Sequence, residues 1–157
     1  MEKIIKSFVL FIFFVLPSLG SSLNLETKLV TWSDLRKLKY KTGEMPESIR
    51  ELMGKLIKIP GFAVPLEGDD GFEYVKEFLL VPTFGMCIHV PPPPPNQVIH
   101  VILDKSVYFE KLMYAVWVSG IVEIGEYFIE GSSDFGQQTY DTETSYLLRG
   151  LKVEEYD

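Results

Sequence analysis

The sequence predicts a small, mainly β domain, an antiparallel barrel of the OB type, with one or two short helices before the strands and a β-sandwich as the alternative. Three observations carry that expectation. Eleven Phe, eight Tyr and repeated Val/Ile runs favour pleated, half-buried surfaces. From Lys55 onward the apolar pattern has period two over several closely spaced segments, and turn residues separate them. The chain has 157 residues, enough for one domain and little more.

The elements follow in order. Residues 21–30 are read as a flexible mature N-terminus. Trp32, Leu35 and Leu38 recur every three residues, so Thr31–Leu38 reads as a short helix capped by Ser33 or Thr31. Lys39–Gly43 is polar and reads as a loop. Pro46 suits the start of a second helical turn through Leu52, and Gly54 stops it. Leu56, Ile57 and Ile59, then Phe62–Leu66, read as two strand arms around a kink at Pro60-Gly61. Glu67-Gly68-Asp69-Asp70-Gly71 has hairpin-turn composition. Phe72–Pro82 returns as a strand, residues 83–97 are an irregular loop, and Val98–Leu103 is a strand. Tyr114–Ile124 is a longer strand with a bend at Gly120. Gly131–Gln138 reads as a loop, and Thr139–Glu155 as a closing strand bent near Gly150. Trp32 and Trp117 are expected in the core.

The first twenty residues read as a signal peptide. Lys3 and Lys6 precede the apolar run Phe8–Leu16. Pro17 ends any helix, and Ser18-Leu19-Gly20 offers small residues for a cut before Ser21. The run is short for crossing a bilayer, which takes roughly 20 residues. The expected location is therefore the periplasm, with no transmembrane segment in the mature chain. No cysteine follows the apolar run, so a lipoprotein anchor is not expected. Cys87 is the only cysteine, which rules out an intramolecular disulfide.

The formal net charge is −7. Cleavage after Gly20 removes one acid and two bases, leaving −8 on residues 21–157. A domain this acidic repels phosphate backbones, so nucleic acid is not an expected partner.

One segment stands apart from ordinary loop sequence. In Phe84–Gln97, five consecutive prolines (Pro91–Pro95) fix a polyproline II rod that cannot pair as a central strand. Cys87 and His89 stand two apart before it, so extended backbone points both to one face. Thiolate and imidazole are the usual ligands of zinc and copper. They are also the pair that makes an activated thiol nucleophile.

Three readings of that segment stay open. In the first, Cys87 and His89 hold a transition metal, with His100 as a further ligand and Glu77 or Asp104 as carboxylate donors. Cys87, His89, Pro93, Asn96 and Gln97 would then form a surface for a ligand or partner. In the second, Cys87 is a nucleophile with His89 as base, and Asn96 orients the imidazole by analogy with Cys-His-Asn enzymes. In the third, the segment is scaffold: the cysteine is a buried apolar group, and the prolines brace the barrel mouth and block an exposed edge.

The run Pro82-x-Phe84-Gly85-x-Cys87-Ile88-His89-Val90-Pro91-Pro92-Pro93-Pro94-Pro95-Asn96-Gln97 resembles the signature of the DUF3299 family. Gly54-Lys55-x-Ile57-x-Ile59-Pro60-Gly61-Phe62-x-Val64-Pro65-Leu66 and Trp32-x-x-Leu35 agree with it. The resemblance spans most of residues 31–125 and implies one domain over 31–157. It implies an exported bacterial protein of unknown function, with a membrane transport or envelope assembly as partner. It brings no established activity. Many members carry a lipoprotein cysteine that this chain lacks, and Thr83 and Met86 stand where the family more often has Tyr and a small residue.

Overall fold

The computed structural model describes residues 26–69, 73–85, 93–133 and 138–156. Its elements are β1 (Lys28–Leu29), α1 (Trp32–Leu35), α2 (Glu47–Arg50), β2 (Leu56–Asp69), β3 (Tyr74–Val81), β4 (Ile99–Tyr108), β5 (Ala115–Ser133) and β6 (Gln138–Glu155). The strands lie in the order β1-β2-β3-β4-β6-β5, and β2 pairs with β5 to close the sheet. Five strands therefore form a closed barrel, and β1 is an extra strand on its outside. This is the OB-type Greek key expected from the sequence. The β4–β6 pair is parallel, Ile99 to Leu103 beside Tyr146 to Gly150, while the other barrel pairs are antiparallel.

The period-two pattern explains the interior. Ile57 and Ile59, Ile99, Val101 and Leu103, Val116 and Val118, and Tyr146 and Leu148 alternate inward and are buried. Two glycines let the strands approach. A Cβ on Gly120 would collide with the Arg149 carbonyl oxygen, and one on Gly150 would sit 2.5 Å from Leu103 Cδ2. The bend foreseen at Gly120 is a register shift between Ser119 and Gly120.

The helices plug one end. Thr31 caps α1, with Asp34 completing a reciprocal capping box. Lys37 and Thr31 hold the Asp34 carboxyl well below the usual carboxylate range, at about 2. A depressed folded-state value means that this cap contributes at neutral pH and is lost as pH falls through about 2. Leu35, Leu38, Ile49 and Leu52 insert into the core, each contributing on the order of 2 kcal/mol by burial. Gly54, at φ 71°, ends the turn after α2, and its N–H reaches the Val122 carbonyl.

Several details differ from the sequence reading. Within the span read as a flexible N-terminus, Lys28–Leu29 pair with β2 and Val30 is buried; residues 21–25 lie outside the described residues. β2 is one continuous strand. It pairs with β5 over Leu56–Phe62 and with β3 from Phe62 onward, and its register irregularity falls at Pro65–Gly68 rather than at Pro60-Gly61. Gly61 is instead a point of close approach, where a Cβ would meet the Val81 carbonyl at 2.8 Å. The span 131–138 is no simple loop, because strand pairing runs on to Ser133↔Gln138. Trp117 lies between the inward Val116 and Val118, so it faces outward and stacks on Tyr156 at 5.2 Å. Among the described residues no helix is long and apolar enough to cross a membrane.

Gly120→Ala should destabilise the fold by about 3 kcal/mol, because the new methyl meets backbone that cannot move aside. Urea unfolding followed by tryptophan fluorescence checks this. An unchanged midpoint would mean the β5–β6 crossing is looser than described.

Candidate functional site

The connection from β3 to β4, residues 82–98, carries the unusual sequence. Cys87 and His89 fall in 86–92, outside the described residues, so the geometry concerns the two ends of the connection. At its start, Phe84 is exposed and meets the Phe62 ring edge-on at 5.8 Å, and Gly85 has φ 76°. At its end, half-buried Pro93 and exposed Pro94 lead into a single 3-10 turn, Pro95–Gln97.

That turn is fastened by side chains to α1 and the turn just after it. Asn96 and Gln97 are buried, a costly position for amides unless they are paired. Asn96 Nδ2 donates to the Leu38 carbonyl at 2.9 Å and the Arg36 carbonyl at 3.2 Å. Gln97 Nε2 donates to the Asn96 carbonyl at 2.8 Å and, at 3.5 Å, approaches that of Trp32. From β6, the buried Tyr146 hydroxyl donates to the Leu35 carbonyl at 2.8 Å. Burial pushes the Tyr146 phenol well above its usual pKa, so it stays a donor. Trp32 Nε1 returns a bond to the Pro60 carbonyl at 2.6 Å. The Trp32 and Leu35 carbonyls of α1 also accept the Arg36 and Leu38 N–H groups, while the Arg36 and Leu38 carbonyls, in the turn just past the helix, take the Asn96 amide. Thr144 Oγ1 continues the fastening with a bond to the Val98 carbonyl at 2.5 Å.

The sequence reading offered the amides of Asn96 and Gln97 to a ligand or to an imidazole. Their NH2 groups are committed to backbone carbonyls. The Tyr146 bond was not foreseen, because an alternating Tyr in a strand shows its burial and not the destination of its hydroxyl.

His100 sits just beyond the turn, on the outward face of β4. Its Nε2 lies 2.6 Å from Glu77 Oε1 on β3, with the imidazole only 12% exposed. A carboxylate is acceptor-only, so Nε2 is the donor in this contact. Of the metal donors named from sequence, the fold brings Glu77 and His100 together. Asp104 is exposed two pleats along β4. Among the described residues no group of three His, Cys, Asp or Glu side chains gathers to hold a metal.

The same outer face has an apolar strip made by Phe62, Val64 and Leu66 of β2, Leu79 and Val81 of β3, and Val98. The strip lies over the first and second barrel strands, beside the second-and-third-strand face where OB barrels usually bind ligands. Ile129 of β5 packs on the strip, because β5 and β6 run on past the barrel as a hairpin arm that folds back.

Residues 26–154 match the family model DUF3299, described as "Protein of unknown function". The fold is similar to the crystal structure of a DUF3299 family protein from Pseudomonas aeruginosa PAO1. That comparison gives 29% identity and a TM-score of 0.62, covering 84% of this chain and 97% of the other. No curated protein matches the chain significantly.

Asn96→Ala should cost about 2 kcal/mol, since it strands the Arg36 and Leu38 carbonyls at a buried junction. Thermal or urea unfolding measures the loss. A cost below about 0.5 kcal/mol would show that the amide contributes no net stabilisation.

Proposed function

Because the chain belongs to the DUF3299 family, whose members have no assigned activity, we propose that it is an exported, non-enzymatic binding or accessory module. Its contact element is the Cys87-x-His89-proline connection. Export rests on the first twenty residues: the Lys3/Lys6 start, the apolar run and the small residues before Ser21. The connection joins the two strands whose outer face serves as a ligand platform in OB barrels.

The observation that carries this reading is the clamp at the connection's C-terminal end. The Asn96 bonds to Leu38 and Arg36 anchor the last proline turn to the barrel mouth. A proline rod anchored at one end has little freedom left to lose when something binds beside it. Soft donors presented from such a segment suit zinc or copper. His100 is a third donor candidate within the same stretch of chain, and the Glu77–His100 bond resembles the carboxylate–histidine pairs that orient metal ligands.

Purified mature protein should carry, or take up on titration, one zinc or copper ion per chain. Cys87→Ser and His89→Ala should each lose it while keeping the unfolding midpoint of the metal-free wild type. Elemental analysis with metal titration decides the matter. No stoichiometric metal and no uptake would remove the metal-binding reading and leave the proline connection as a protein contact.

A further inference from the structure

We propose that the outward face of the β5–β6 arm docks a basic, Arg- or Lys-bearing segment of a partner polypeptide. This goes beyond the Cys87–His89 reading and uses a different surface. The two faces of the arm differ sharply. Toward the barrel lie Ile129, paired with Thr142, and Tyr127, paired with Thr144; Ile129, Thr142 and Thr144 are buried. On the other side Phe128 is 76% exposed and pairs with exposed Glu143. Asp141 and Glu126 are exposed as well.

The charge is one-signed. From Glu123 to Leu148 the chain has six carboxylates and no Lys or Arg. Among the described residues, no ion pair engages Glu126, Asp141 or Glu143. Glu123 is paired, with Arg149, at the base of the arm.

The charge decides between occupants. Nucleic acid and anionic lipid headgroups are repelled, and so is a second copy of a chain with net charge −7. An exposed phenyl ring beside unpaired carboxylates fits a guanidinium or ammonium group, which gains from the ring face and from the acids together.

The test uses the full chain and an oligo-arginine peptide as probe, with binding followed by titration calorimetry. The wild type should bind. Asp141→Lys with Glu143→Lys should weaken binding about tenfold or more, and Phe128→Ala, at an exposed position that leaves folding intact, about fivefold. Glu110→Lys with Glu155→Lys makes the same charge change elsewhere on the surface and should stay within about twofold. No binding by the wild type would overturn the proposal. So would equal weakening by the two Lys pairs, since the attraction would then be to net charge alone.

Discussion

The structure depends on what the backbone carbonyls of one very short helix and the turn after it are bonded to. α1 has four residues, and its packing against the barrel is reinforced by long-range side-chain bonds to carbonyls from Trp32 to Leu38. Gln97 and Tyr146 reach the Trp32 and Leu35 carbonyls of α1, and Asn96 reaches those of Arg36 and Leu38 in the turn that follows it, from two separate regions of the chain. The consequence is topological. Tyr146 opens the parallel pairing of β6 with β4 at Ile99, and Asn96 ends the connection that delivers β4 to that place. One set of polar contacts therefore seats the helical plug, starts the only parallel pair in the barrel and anchors the proline segment.

The outer surface follows a different logic. A barrel needs one apolar face per strand, yet β2 and β3 are apolar on both sides where Val64, Leu66, Leu79 and Val81 point outward. That second face is covered by the chain's own arm. The arm leaves the barrel at a register shift between Ile124 and Tyr127, beside Gly125, where the strand direction can change. Folding back places Ile129 on the strip, and the polar side of the hairpin is necessarily turned out. The acidic, Phe128-centred surface is thus the reverse side of a packing solution.

The sequence was most legible where one physical rule acts alone. Period-two alternation located the barrel strands, Thr31 and Gly54 marked helix ends, and the aromatic and β-branched composition favoured a mainly β domain. It was least legible where long-range pairing decides. Gly131–Gln138 reads as a loop, yet Gly131–Ser133 pair with Gln138–Tyr140 as strand. Trp117 looks like core by size but falls on the outward phase of β5. Asn96 and Gln97 were visible as unusual amides after a proline rod, and only the fold reveals that their NH2 groups serve carbonyls some sixty residues earlier in the chain. The Glu77–His100 contact was readable as a possibility, because both residues were candidate donors, but its pairing comes from the β3–β4 register.

Amide hydrogen exchange tests the central linkage most directly. If the carbonyl clamp couples the helical plug to the end of the proline connection, Asn96→Ala will speed exchange in residues 32–39 and 95–99 together. The far pairing of β5 with β6, around Val116–Val118, will keep its protection. Faster exchange confined to one of those two segments, with the other unchanged, would contradict the account.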